Sequence, residues 1–194
     1  MNFYKLDSDW SYQTLMPTLQ QSIDLVKYKI LWTRKGTEDI PSYLHSLRVN
    51  EALKKYKFNE DTQIAGLLHD IIEDGWMTFD ELKDLGYSDE ILHLVDLASH
   101  DITMTNAFQR REKMIKRLIA EKNKNARAIK VADISDNLLE CHLMPNKQRL
   151  GIFLNKKCPV FVYYGNKYFG GTEFYDEFVQ RYFKQKKDYH AVLQ

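Results

Sequence analysis

Between residues 126 and about 143 the chain is apolar on most sides of a helix, with Ile129, Val131, Ala132, Ile134, Leu138 and Leu139 spread around it rather than along one stripe. A helix of that kind must be wrapped by other elements, and each charged residue on it needs a reason to be there. The rest of the chain is built to do the wrapping. Only 4 prolines and 8 glycines interrupt 194 residues, and several intervening runs repeat apolar residues with helical rather than alternating spacing. The expected architecture is all-α: one helical bundle over residues 1–194, with a motif-bearing core over about 30–140 and an aromatic helical extension over about 146–194. No repeat, low-complexity tract or interdomain linker divides it.

The spacing predicts a first helix over about 15–33, with Leu19, Ile23, Val26 and Ile30 on one side. A polar loop follows over 34–41, and Pro41 and Ser42 open a helix through His45, Val49, Leu53 and Tyr56. Asp61 is the expected cap of a helix carrying Ile64, Leu67, Leu68 and Ile71 and stopped by Gly75. Thr78 with Glu81 forms a capping-box pattern, and Gly86 to Ser88 starts a helix bearing Ile91, Leu94, Val95 and Leu97. A longer amphipathic helix runs over about 106–122, before the central one.

A net charge of +1 lacks the basic bias of a dedicated nucleic-acid binder, so no nucleic-acid polymer is expected as partner. Two cysteines, Cys141 and Cys158, imply no disulfide framework and favour a reducing, cytoplasmic setting. The first ten residues lack the basic and apolar regions of a signal peptide. No apolar run approaches the roughly 20 residues of a membrane span, so no membrane partner is expected either. The sequence leaves self-association open.

Chemistry concentrates in Leu68-His69-Asp70-Ile71-Ile72-Glu73-Asp74, an HD pair followed one helical turn later by an ED pair. Titratable groups crowded among Leu67, Leu68, Ile71 and Ile72 are costly without a compensating charge, which a cation supplies. His45 upstream and Asp133, set in the nearly all-apolar helix, complete a cage of two imidazoles and two carboxylates: His45, His69, Asp70 and Asp133. That donor set suits one divalent ion such as Mn²⁺ or Fe²⁺, with positions left for water and substrate. Such an ion lowers the pKa of water and polarises a phosphoryl oxygen, while Glu73 takes the proton. Lys130, one turn before Asp133, offers positive charge to phosphate, as do Arg34 and Lys35. Asn137, one turn after Asp133, shares its face.

These blocks, in this order and at this spacing, resemble the HD-type hydrolase domain of the RelA/SpoT homologues, above all its small stand-alone alarmone hydrolases. The likeness runs from Arg34-Lys35-Gly36-Thr37 and Ile40-Pro41 to His45, through Leu67 to Asp74 and Thr78 to Val95, to Ile129 to Leu138. It implies a helical bundle holding one Mn²⁺-like ion on His45, His69, Asp70 and Asp133. Glu73 and Asp74 would orient and deprotonate the attacking water. Arg34, with Lys35 beside it, would lie against the nucleotide base, and Asn137 would face the nucleotide. The implied reaction removes the 3′-pyrophosphate of guanosine tetra- or pentaphosphate.

Three positions depart from that pattern. Ser46 follows the first ligand where the family commonly has Pro, Gly75 follows the ED pair where it has Thr, and Ile134 follows Asp133 where it has Arg or Lys. They are expected to alter the pocket rim and the groups behind the ligands, and so the substrate. This keeps two other readings in play: hydrolysis of another nucleotide (a nucleoside monophosphate, an adenine alarmone or a cyclic nucleotide), or binding without cleavage. A second HD dipeptide, His100-Asp101, lacks a following acidic pair and reads as a helix-end contact. His93, His142 and His190 read as surface or packing residues, and the basic run over 110–117 as a solvated helix face. The aromatic cluster of Phe161, Tyr163, Tyr164, Tyr168, Phe169, Phe174 and Tyr175 fits a cover for the bundle, a pocket mouth or a dimer contact equally well.

Overall fold

The computed structural model describes residues 16–34 and 39–192. The reading of the first ten residues, the expected helix start at residue 15 and Lys35 lie outside them. Among the described residues there is no β-strand, only an isolated bridge between Thr33 and Pro41. The helices are α1 (Leu19–Lys29), α2 (Tyr43–Lys55), α3 (Glu60–Leu68), α4 (Phe79–Asp84), α5 (Asp89–Ala98), α6 (Ala107–Glu121), α7 (Lys124–Glu140), α8 (Lys147–Ile152), α9 (Cys158–Phe169) and α10 (Glu173–Val192). The all-α expectation holds. None of these helices is long and apolar enough to cross a membrane.

Local chemistry sets the helix ends. Thr18 and Gln21 form a capping box on α1, and Thr78 and Glu81 form the expected one on α4. Ser88 caps α5, and Asn106 and Asn123 cap α6 and α7. The cap of α3 is Asn59, whose side chain accepts from Thr62 N, and not Asp61. Asp61 lies two residues past the cap and instead adds negative charge to the first turn.

α7 is the axis of the molecule, packed by α2, α3 and α5 and on another flank by α9 and α10. It buries Ile129, Val131, Ala132, Ile134 and Leu138, together with Lys130, Asp133, Ser135 and Asp136. The aromatic extension covers this bundle. Phe169 and Phe174 meet edge to face at 5.3 Å and both pack on Phe58, whereas Tyr163 stays 72% exposed.

α3 stops at Leu68, earlier than the periodicity predicts, and residues 69–75 continue as consecutive turns. Asp74 N donates to Asp70 O at 2.7 Å and Gly75 N to Ile71 O at 2.9 Å, single helical-type turns that hold the segment carrying the His-Asp and Glu-Asp pairs. Gly75 is required by close approach: a Cβ there would meet Ile71 O at 2.6 Å and Ile71 Cγ1 at 2.7 Å. The next residue, Trp76, turns the chain with φ of 56°.

Candidate metal centre

Three parts of the fold converge on one point. α2 delivers His45, the 69–75 turn delivers His69 and Asp70, and α7 delivers Asp133. His45 Nε2 lies 3.3 Å from Asp133 Oδ1 and 3.7 Å from Asp70 Oδ2, and His69 Nε2 lies 3.2 Å from Asp70 Oδ2 and 4.0 Å from Asp133 Oδ1. Donors about 2.1 Å from a shared six-coordinate ion stand roughly 3.0 to 4.2 Å apart, and these distances fit. Ligand atoms of His45, His69 and Asp70 all lie within 4.8 Å of one another.

The imidazoles are prepared for an ion. His69 is 0% exposed, and its Nδ1 donates to Gly66 O at 2.7 Å, which leaves the Nε2 lone pair pointing into the cluster. That Nε2 is buried and has no hydrogen-bond partner, an orphan a cation would satisfy. His45 Nδ1 donates to Asp136 Oδ2 at 2.6 Å, which turns its Nε2 toward the same cluster. The site therefore fits a divalent ion held by His45, His69, Asp70 and Asp133.

The electrostatics agree. Burial raises the Asp70 and Asp133 carboxyls, but their neighbours prevail: the rings of His69 and His45 hold Asp70 below the usual carboxylate range, and Lys130 and His45 do so for Asp133. For His45, burial works against the charged form, yet its hydrogen bonds to Asp133 and Asp136 raise the ring to about 9. An arriving metal must then displace a proton from His45. Ion affinity is expected to rise roughly tenfold per pH unit between pH 7 and 9 and to flatten above. Calorimetry at pH 7 in two buffers of unlike ionisation enthalpy should read about one proton released per ion; equal heats in both would contradict this.

Groups behind the ligands were only partly foreseen. Lys130, expected to face phosphate, is 2% exposed and pairs with Asp133 Oδ2 at 2.5 Å, so it orients that ligand. Asn137 Nδ2 donates to the Asp133 carbonyl at 3.0 Å and to its carboxylate. Arg34 Nη2 donates to Asn137 Oδ1 at 3.0 Å and its Nε to Glu140 Oε2 at 2.8 Å, which brings Arg34 to the edge of the site. Asp136 escaped the sequence reading. It is buried and grips Arg48 at 2.6 and 3.0 Å while it holds His45. Its signal was present, a second acid in the apolar helix three residues after the first. Asp136→Asn is expected to weaken metal affinity 10- to 100-fold with helix content unchanged, read by metal titration and circular dichroism.

Lys157, also missed, ends a widened π-type turn at Phe153–Lys157 between α8 and α9. Burial, with Lys130 and Arg111 nearby, holds its ammonium below the usual lysine range, while Asp133 pulls the other way. Lys157 thus lies within electrostatic reach of Asp133. Glu73 and Asp74 are half-buried, and Glu73 lies close enough to Lys130 to support its charge. His100 lies against Glu73 rather than serving as a helix-end contact. His93, His142 and His190 are exposed.

The three departures turn inward, away from the rim. Ile134 is fully buried in the core, Gly75 packs on Ile71, and Ser46 is buried. A conspicuous surface feature is a pair of exposed indoles. Trp32 and Trp76 meet edge to face at 6.5 Å, 41% and 78% exposed, two residues before Arg34 and two after Asp74.

Comparison with known proteins agrees with this geometry. Residues 43–138 match the family model of the HD domain, a span that takes in all four proposed ligands. The chain is 34% identical over 93 residues to a GTP pyrophosphokinase of Myxococcus xanthus, which covers 41% of this chain and 12% of that protein. It is 32% identical over 112 residues to the guanosine-3′,5′-bis(diphosphate) 3′-pyrophosphohydrolase of Spiroplasma citri, covering 55% of this chain and 15% of the relative. The chain thus spans only a small part of these curated relatives. Its fold is similar to that of a metazoan SpoT orthologue that hydrolyses ppGpp, with a TM-score of 0.70 at 19% identity over 93% of this chain and 98% of the other. It is also similar to lmo0812 of Listeria monocytogenes EGD-e, with a TM-score of 0.58 at 24% identity over 74% and 99%. Sequence match and fold lead to one statement: residues 43–138 of this chain are an HD domain.

Proposed function

We propose that this chain is a metal-dependent pyrophosphohydrolase that removes the 3′-pyrophosphate of a guanosine alarmone. The observation that carries the hydrolytic reading is the orphaned, fully buried His69 Nε2, aimed at Asp70 and Asp133 with Glu73 and Asp74 on the same turn segment. The choice of substrate rests on the activities named for the relatives and on Arg34, fixed at the edge of the site. We take the ion to be Mn²⁺, with Fe²⁺ the alternative for a mixed imidazole and carboxylate set. The setting is the cytoplasm, where both cysteines stay reduced.

When bound, the ion supplies a Lewis acid for a phosphoryl oxygen and a more acidic water. The protein supplies the rest. Glu73 accepts the proton of the attacking water, and Asp74 orients that water. Glu140 and Asn137 hold the Arg34 guanidinium in plane, the arrangement in which arginine presents a flat face to a base. Lys157 balances phosphate charge, and Lys130 and Asn137 keep Asp133 aimed.

The test is product identification across a nucleotide panel with Mn²⁺-loaded protein. Free pyrophosphate from guanosine 3′-diphosphates alone is the expected result. Orthophosphate, or turnover only of monophosphates or cyclic nucleotides, would reject this substrate. The exposed Trp32–Trp76 pair favours a second reading, an HD phosphohydrolase for a nucleotide with a larger stacking surface. Quenching of tryptophan fluorescence, ranked over the same panel, separates the two.

A further inference from the structure

Glu73 is not left to find its own orientation. The chain leaves α5 at Ser99, whose hydroxyl donates to the His69 carbonyl at 2.8 Å and so ties that exit to the 69–75 turn. The next residue, His100, meets the Glu73 carboxylate twice. Its backbone N–H donates to Oε1 at 2.7 Å, and its ring Nδ1 lies 2.9 Å from Oε1 and 3.0 Å from Oε2. Because the carboxylate can only accept, Nδ1 carries the proton in this contact. The two side chains are mostly buried, at 20% and 22% exposure, which shields the pair from competing water.

We propose that His100 is a positioning residue for Glu73, using main-chain and ring nitrogens together to lock the carboxylate toward the attacking water. The proposal rests on the reading of Glu73 as proton acceptor. A glutamate has three rotatable side-chain bonds, and misplacing a reacting group by about 1 Å costs on the order of a hundredfold in rate. The backbone donor alone fixes one oxygen and leaves the carboxylate free to swing about it. The ring contact to both oxygens removes that freedom. His100 thus acts from the α5 exit through the Glu73 carboxylate alone.

The test uses His100→Leu, which fills the space without a donor, and His100→Asn, whose side-chain amide nitrogen is as many bonds from the backbone as Nδ1. His100→Leu is expected to lower kcat about 10- to 100-fold, with KM and bound metal unchanged. His100→Asn should recover kcat to within roughly threefold of the parent. In a Glu73→Gln background, His100→Leu should have no further effect. Wild-type kcat in His100→Leu overturns the proposal, as does a loss of bound metal equal to the loss of rate. A crystal structure of His100→Leu supplies an arm independent of substrate: a Glu73 carboxylate still held in its original place also overturns it. Loss of turnover in Glu73→Gln together with full turnover in His100→Leu would reject this inference and leave the proposed function standing.

Discussion

Asp70→Asn and His69→Ala are each expected to yield protein with no stoichiometric divalent ion and no measurable turnover. Asp70 faces both imidazoles, at 3.2 Å from His69 Nε2 and 3.7 Å from His45 Nε2, and the asparagine keeps its volume while losing the charge the ion needs. His69 Nε2 is buried with no hydrogen-bond partner, so removing the ring deletes a proposed ligand and, besides it, only the Nδ1 bond to Gly66 O. Both defects strike binding, and excess Mn²⁺ should restore little. Elemental analysis of the purified variants alongside circular dichroism checks this. A variant that keeps one ion per chain and full activity would remove that residue from the ligand set.

Glu73→Gln is the complementary case. Glutamine preserves size but cannot take a proton, so kcat should fall by roughly 10²- to 10⁴-fold, the usual worth of a positioned general base. Metal content should not change, because Glu73 bonds His100 and not the cluster of ligand atoms. Single-turnover rates with metal analysis on the same sample separate the two defects. Turnover at the parent rate would place proton removal on another group, with Asp74 the first to test.

Much of this was readable because the relevant signals are local. The Thr78–Glu81 box, the Ser88 cap and the start of α6 each depend on a few adjacent residues, and the structure reproduces them. Asp133 stood out because an acid inside an apolar helix has to be paired, and it is buried against two histidines and Lys130. The failures share a physical cause. Periodicity carried α3 through Ile71, but the helix ends at Leu68, since apolar spacing cannot tell a helix from successive turns with the same inward residues. Lys130 was legible as a cation and not as the partner of Asp133, because its choice between phosphate and carboxylate is made by tertiary packing. His100 and Lys157 come from stretches far along the chain from Glu73 and Asp133, and no spacing rule joins them.

The flank of α7 turned toward the C-terminal helices has its own consequence. There Arg181 reaches across to the Ser135 hydroxyl at 3.1 Å, and Phe178 lies fully buried. The proposed ion-binding groups occupy one side of a rod whose other side is sealed by segments that contribute none of them. Cutting the gene after residue 145 would keep the four proposed ligand positions but strip an oily surface bare. The shortest working unit is therefore set by waterproofing rather than by the boundaries of the recognisable motifs.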